Sequence, residues 1–142
     1  SNSPSFADFN GDGKIDFARR VMNVKHGKDY ALGDWMVQIY INETPTTNPF
    51  FKIDLLGQNG ERNQQGRIVE LRPISRADFV ITRVVDSGSG YLNQNQYTLL
   101  IGTPFNEIHF GKAYFSDGVV EFSVSPNQSL SIYKDGTVTA DK

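Results

Sequence analysis

The chain has 142 residues and a formal net charge of −2, from 14 Lys or Arg against 16 Asp or Glu. Nucleic acids and anionic membranes select basic surfaces, so this balance gives no electrostatic support for either partner. The sequence has no cysteine, which excludes disulfides and thiolate metal sites. No apolar stretch is long enough to predict a membrane-spanning helix. The length predicts a single domain over residues 1–142, with Ser1-Asn2 resembling the remnant of a cleaved expression tag.

The first feature along the chain is a loop at residues 8–16, which places oxygen-bearing side chains at alternate positions. Calcium in proteins takes about six to eight hard oxygen ligands at about 2.3–2.6 Å. The spacing predicts a calcium site, and Gly13 permits the sharp turn that it requires. The predicted ligands are the side chains of Asp8, Asn10, Asp12 and Asp16 and the backbone carbonyl of Lys14. Since Asp, Asn and Gly also favour ordinary turns, a plain turn is the alternative.

The twelfth position and the flanks of this loop distinguish it from an EF-hand. The twelfth position is Arg19, which cannot ligate, and both flanks read as strands rather than helices. A nine-residue loop of this kind, carried by the segment 6–18, resembles the FG-GAP/VCBS family. The resemblance implies structural Ca²⁺ and a role in extracellular adhesion or ligand binding. The family's propeller needs about four or more blades. Since we find one loop and no repeat, we expect a different small β fold.

Calcium also bears on the location of the protein. Free calcium is low in the cytosol, and weak structural sites of the extracellular kind need up to about millimolar ion. We therefore expect an extracytoplasmic location: periplasmic, secreted or on the cell surface.

The remainder of the chain alternates apolar and polar residues with a period of two, which is typical of half-buried strands. Strands are predicted at 5–7, 15–24, 35–41, 50–56, 68–71, 79–85, 97–101, 107–110, 112–115, 119–124, 130–133 and 137–139. Asp117-Gly118 and Asp135-Gly136 predict tight hairpin turns, and residues 73–79 admit one short helix. We therefore expect an all-β fold, a single antiparallel sandwich or barrel with the calcium loop in its N-terminal hairpin.

A second candidate site lies in the polar loop at residues 86–96. Its run of Ser87, Gly88, Ser89, Gly90 and Tyr91 is similar to the Ser-Gly-rich loop that bacterial periplasmic lysozyme inhibitors insert into the lysozyme cleft. Small hydroxyl side chains fit a narrow cleft, and tyrosine adds contact area at low entropic cost. The resemblance implies an inhibitor or immunity-type protein directed at a cell-wall hydrolase. A flexible connection between strands is the alternative.

The aromatic residues suggest a third candidate, a platform on which sugars stack. Its members would be Trp35, Tyr40, Tyr91, Tyr97, Tyr114 and Tyr133. Trp35 and Tyr40 fall on opposite faces of one predicted strand, so we expect at least one of them in the core. A carbohydrate-binding module is therefore an alternative function, with core packing as the ordinary explanation of these residues.

Catalytic groups are sparse. His26 and His109 are the only imidazoles and have no nucleophile motif beside them, so we interpret them as a surface residue and a strand residue. Glu70, Glu107 and Glu121 lie in predicted strands and would supply the carboxylate pair of a glycan-active enzyme. Our principal hypothesis is an exported β domain with structural Ca²⁺, which binds a protein or glycan partner without catalysis.

Overall fold

A computed structural model of the protein describes residues 3–23, 34–86, 88 and 94–141. In these ranges the regular structure consists entirely of strands, so the all-β prediction is confirmed. Residues 73–79 form two successive turns instead of a short helix, closed by hydrogen bonds from Arg76 N to the Pro73 carbonyl and from Phe79 N to the Arg76 carbonyl. Nowhere in the described part of the chain is there a helix with the length and apolarity to cross a membrane.

The described residues form 11 strands in three sheets. In chain order these are β1 (Ser5–Ala7), β2 (Asp16–Asn23), β3 (Asp34–Tyr40), β4 (Phe50–Leu56), β5 (Ile68–Pro73), β6 (Ile81–Val84), β7 (Leu99–Gly102), β8 (His109–Phe115), β9 (Gly118–Val124), β10 (Ser129–Tyr133) and β11 (Val138–Ala140). The N-terminal sheet has the order β1-β2-β3, the β4 sheet β11-β10-β4-β7, and the β8 sheet β6-β5-β8-β9. Hairpins join β8 to β9 and β10 to β11 at the predicted places, but neither turn is a two-residue Asp-Gly connection. Residues 116–117 connect the first pair of strands, with Gly118 already in β9, and residues 134–136 lie between Tyr133 and Thr137 in the second.

The β4 and β8 sheets form a sandwich around one apolar cluster. Alternate residues of each strand point inward, which is why the sequence has a period of two. The β4 sheet contributes Phe51, Ile53, Leu55, Leu99, Ile101, Leu130 and Ile132, and the β8 sheet Val69, Leu71, Ile81, Ala113, Phe115, Val120, Phe122 and Val124. The sheets remain separate and open, so the fold is a sandwich rather than a closed barrel.

One strand pair departs from the antiparallel pattern. β4 and β10 run parallel, in the register that pairs Lys52 with Ser129 and Leu56 with Tyr133. Parallel neighbours need a long crossover connection, which here includes the whole β8 sheet. The two most central strands of the β4 sheet therefore come from distant parts of the sequence.

The N-terminal sheet carries exposed apolar residues on both faces. Trp35, Val37 and Ile39 alternate on one face of β3 and are exposed, while Met36 and Tyr40 are exposed on the other. This sheet contributes no residue to the buried apolar cluster of the sandwich. Truncating its exposed apolar side chains should therefore cost little stability.

A matched pair of isoleucines tests whether the core lies in the sandwich and not in the N-terminal sheet. Ile53 in β4 is fully buried, whereas Ile39 in β3 is 56% exposed. We expect Ile53→Ala to lower the free energy of unfolding by about 2–5 kcal/mol, because it leaves a cavity in the core. Ile39→Ala should change it by about 1 kcal/mol or less, the span of strand propensities. Urea unfolding of both variants measures the difference. Equal losses would contradict the assignment of the core to the sandwich.

Candidate metal centre

The loop at residues 8–16 connects β1 to β2 and turns through two glycines in the left-handed region, Gly11 with φ +80° and Gly13 with φ +83°. Glycine adopts this conformation without the steric cost that a Cβ imposes. The turn points successive backbone amides toward the first residue of the loop. The sequence therefore produces a wrapped loop here, with the sharp turn at Gly13 that was predicted.

Asp8 is the centre of this wrapping. Its Oδ1 accepts hydrogen bonds from the amides of Gly11 at 2.7 Å and Asp12 at 3.1 Å, and its Oδ2 accepts one from Gly13 at 2.9 Å. The Lys52 ammonium lies 2.7 Å from Oδ2, and the Asp8 side chain is only 3% exposed. Burial opposes ionisation of Asp8, but the contacts with Lys52 and the loop amides outweigh it and lower the pKa of the carboxyl. Asp8 is therefore an anion at neutral pH.

Asp12 lies on the outer side of the loop. Its Oδ1 accepts a hydrogen bond from the Lys14 amide at 2.9 Å, and its Oδ2 accepts one from Asn10 Nδ2 at 3.1 Å. The Lys14 ammonium is also 3.1 Å from Oδ2. Partial loss of hydration opposes ionisation, but the hydrogen bonds from Lys14 and Asn10 outweigh it and lower the pKa of Asp12. Asn10 Oδ1 in turn accepts a hydrogen bond from the Asp12 amide at 3.2 Å.

Asp16 closes the loop and is almost fully buried, at 1% exposure. Its Oδ2 accepts a hydrogen bond from the Phe9 amide and its Oδ1 one from the Asn42 amide, both at 2.8 Å. Asp16 therefore ties the loop to the segment that follows β3. The structure thus groups Asp8, Asn10 and Asp12 through shared amides and directs Asp16 toward backbone donors. Across the described ranges, no three carboxylate or imidazole side chains lie close enough together to coordinate one metal ion as they stand.

Two contacts fix the loop against the sandwich. The backbone of Gly13 lies so close to the Phe50 ring, at the start of β4, that a Cβ would overlap it. Lys52, two residues further along β4, reaches back to Asp8 and to the Gly11 carbonyl. Sequence reasoning missed Lys52, because 41 residues separate it from Gly11. The only local indication that Lys52 has a partner here was its position on the polar face of β4, a strand whose other face builds the core.

Lys52 and Asp8 also line a polar cleft of about 330 Å³ on the outer face of the β4 sheet. Its floor includes Asp54, whose Oδ1 accepts hydrogen bonds from Thr98 Oγ1 at 2.7 Å and Arg62 Nη1 at 3.2 Å. The carboxylate of Asp141, after β11, lines the same cleft. The loop and the cleft therefore share the ion pair of Asp8 and Lys52.

The predicted Ser-Gly loop lies almost entirely outside the described residues: Ser87, Ser89, Gly90 and Tyr91 are not among them. Gly88 is described, and its amide donates a hydrogen bond to Asp86 Oδ1 at 3.1 Å. The inhibitor resemblance therefore stays a prediction.

The expectation that Trp35 or Tyr40 packs in the core is wrong, because both are exposed, at 51% and 38%. Both belong to the N-terminal sheet, which contributes nothing to the apolar cluster. The Arg20 guanidinium lies 3.8 Å from the centre of the Trp35 ring, and the Tyr40 ring stacks on Phe17 at 4.5 Å. Of the other described tyrosines, Tyr97 packs against the core, while Tyr114 lies on the outer face of the β8 sheet and Tyr133 ends β10. The described aromatic residues are therefore dispersed rather than gathered into one platform.

His109 is fully buried at the start of β8, as its interpretation as a strand residue requires. One ring nitrogen, Nδ1, lies 2.9 Å from the Glu107 carbonyl, and the other, Nε2, lies 3.1 Å from Thr103 Oγ1. Its ring packs edge-on against Phe51 at 4.8 Å. These contacts are those of a satisfied core histidine. His26 lies outside the described residues.

The three glutamates do not form one group. Glu70 and Glu121 are cross-strand neighbours of Lys112 on the outer face of the β8 sheet, and Lys112 Nζ is 3.0 Å from Glu121. Glu70 accepts a hydrogen bond from Tyr114 Oη at 3.1 Å. Glu107 lies elsewhere, hydrogen-bonded to the Ser75 hydroxyl. Glu70 and Glu121 thus flank Lys112 and line, together with it, a cleft of about 250 Å³. Each carboxylate has its own cationic neighbour, Arg72 at 3.9 Å from Glu70 and Lys112 at 3.0 Å from Glu121.

The donor set of the N-terminal loop fits a hard cation. No protein-family model and no curated protein matches the chain. A ligand for the loop can therefore be argued only from the chemistry of its own atoms. Carboxylate, amide and carbonyl oxygens are the ligands that calcium takes. The Lys52 ammonium contacts two of these oxygens, from Asp8 at 2.7 Å and the Gly11 carbonyl at 3.3 Å. The loop therefore already binds one cation, supplied by its own chain.

The two loop glycines provide a matched test of the anchoring against β4. Both have positive φ, so replacement by alanine should cost each variant roughly 1–2 kcal/mol of folding free energy. Only at Gly13 would the new Cβ meet the Phe50 ring, whereas at Gly11 it would enter open space. We expect Gly13→Ala to be the less stable by about 1–3 kcal/mol, the usual range for overpacking. Calorimetric melting temperatures measure the difference, and equal temperatures would exclude the close packing of loop and strand.

Proposed function

We propose that this protein is an exported β domain that holds Ca²⁺ in its N-terminal loop and serves as a non-catalytic binding module. The observation that carries the calcium proposal is Asp8, a nearly buried carboxylate wrapped by three amides at the first position of the loop. The backbone of the loop is already wrapped around this carboxylate, so accepting a metal ion would rearrange side chains rather than the turn itself.

The residues that would hold the ion are Asp8, Asn10, Asp12 and Asp16 through their side chains and Lys14 through its carbonyl. When bound, Ca²⁺ would neutralise carboxylates that otherwise repel each other in a short loop. Two contacts between the loop and the rest of the chain explain how a bound ion would also stabilise the N-terminal sheet. Asp16 links the loop to Asn42, and Gly13 packs on Phe50, so tightening the loop also holds the N-terminal sheet against the sandwich.

The binding proposal is supported by the exposed apolar residues of β3. Trp35, Val37 and Ile39 lie on one face of the N-terminal sheet and are all exposed. Contiguous exposed apolar residues typically mark contact sites for other macromolecules. This favours a protein partner, and the inferred calcium site favours a periplasmic, secreted or cell-surface location.

Thermal unfolding with excess calcium and with excess chelator tests the metal. A ligand that binds only the folded state at a hundredfold excess over Kd stabilises by about 2.7 kcal/mol, which should raise the melting temperature by several degrees. Asp12→Ala should lose this shift. Asp78→Ala, which removes an exposed acid paired with Arg76 outside the loop, should keep it. An unchanged melting temperature in the wild-type protein would overturn the calcium proposal.

Two binding assays separate the classes of partner. Inhibition of purified lysozyme-type hydrolases is the outcome expected if the Ser-Gly loop enters an enzyme cleft. Retention on a glycan array would instead favour a carbohydrate-binding module. We expect a protein partner. If glycan binding is found and survives both Trp35→Ala and Tyr40→Ala, that result would contradict a binding role for the exposed residues of β3.

A further inference from the structure

Lys52 brings a positive charge into the loop from a different part of the fold. Its ammonium lies 2.7 Å from Asp8 Oδ2 and donates a hydrogen bond to the Gly11 carbonyl at 3.3 Å. Both partners belong to the candidate calcium loop, whereas Lys52 belongs to β4. The Asp8 side chain is 3% exposed, and that of Lys52 is 23% exposed. The contact is therefore shielded from most of the solvent.

A divalent cation and this ammonium group cannot share Asp8 without cost. Charges of the same sign repel, and a partly buried pair is screened less by water and salt than an exposed one. Calcium at the first position of the loop must take a carboxylate oxygen from Asp8. Oδ1 accepts two amides that the turn holds in place, whereas Oδ2 accepts one amide and the side-chain ammonium of Lys52. An ion that binds Oδ2 must therefore displace Lys52.

The cleft beside the loop offers Lys52 a second position. Lys52 and Asp54 are two residues apart in β4, so their side chains emerge on the same face of the strand. Asp54 and Asp141 line the cleft that Lys52 also lines. Asp54 already accepts hydrogen bonds from Thr98 and Arg62, and Asp141 accepts from Ser131. A carboxylate can accept more than two hydrogen bonds, so we expect the displaced ammonium to turn toward these two groups.

We propose that Lys52 is an intramolecular competitor of Ca²⁺, which holds the loop folded without the ion and is displaced into the cleft when the ion binds. This inference rests on the proposed calcium function. Its consequence is a weakened affinity, because each calcium ion must replace an existing charge contact. Lys52 would thereby confine occupancy of the loop to compartments that are rich in calcium.

Isothermal titration calorimetry of Lys52→Met with calcium chloride tests this directly. Methionine keeps most of the length of the side chain and removes its charge. We expect Kd to fall roughly tenfold or more, the equivalent of one hydrogen bond between charged groups. The control Lys112→Met removes a lysine paired with Glu121 on the β8 sheet and should leave Kd unchanged. Lys52→Arg, which keeps the charge, should bind more weakly than Lys52→Met.

The outcomes separate this inference from the calcium proposal. Tighter binding by Lys52→Met than by wild type supports both. Wild-type binding with no gain in Lys52→Met overturns the competitor role alone. Binding by Lys52→Met when the wild-type protein binds nothing supports the competitor role and overturns the calcium proposal. Binding by neither variant overturns both.

A measurement on the unmodified protein covers the case in which Lys52→Met fails to fold. The side-chain ammonium signal of Lys52 can be followed by nitrogen-detected or proton–nitrogen NMR as calcium chloride is added. We expect this signal to shift together with the Asp8 carboxyl carbon signal. An Asp8 signal that responds to calcium while the Lys52 signal stays fixed would overturn the proposal.

Discussion

The buried negative charge of Asp8 is the constraint on which the N-terminal part of the structure depends. A carboxylate with 3% exposure has lost most of its water and needs replacement donors. Three backbone amides and one ammonium group provide them. To present those amides, the chain must turn through positive φ at Gly11 and Gly13. To present the ammonium, β4 must lie beside the loop. Loop shape and sheet placement thus follow from one charge.

Much of the fold could be predicted because its causes are local. Alternation along 50–56 or 119–124 specifies which side chains face the core. Asp-Gly at 117–118 and 135–136 predicts where the hairpins lie, although not which residues form each turn. The division into three sheets and the parallel pairing of β4 with β10 could not be predicted in this way. A strand's alternation is the same whether its neighbour runs parallel or antiparallel, so the pattern carries no information on direction.

The candidate site likewise combines local features, which the sequence predicts, with tertiary contacts, which it does not. The alternate acids of residues 8–16 and the turn at Gly13 are local features, and the structure has the turn at Gly13 with loop amides directed at Asp8. Lys52 was missed because the contact is made by tertiary packing over a long sequence separation. Trp35 was misjudged for a related reason. Apolar alternation shows that one face of a strand can be buried, but burial needs a covering layer, and in the described structure β3 has none over Trp35.

The parallel pairing of β4 with β10 has a consequence for how the chain acquires its structure. Residues 129–133 form the strand that pairs with β4 in the centre of its sheet, so the apolar cluster cannot close until they have been synthesised. Topologies dominated by such distant contacts fold slowly, because a large loop must be closed before any contact compensates for the lost entropy. A nascent chain of this kind remains without a complete core even after β4 to β9 have been synthesised, because β10 is still missing from the sheet.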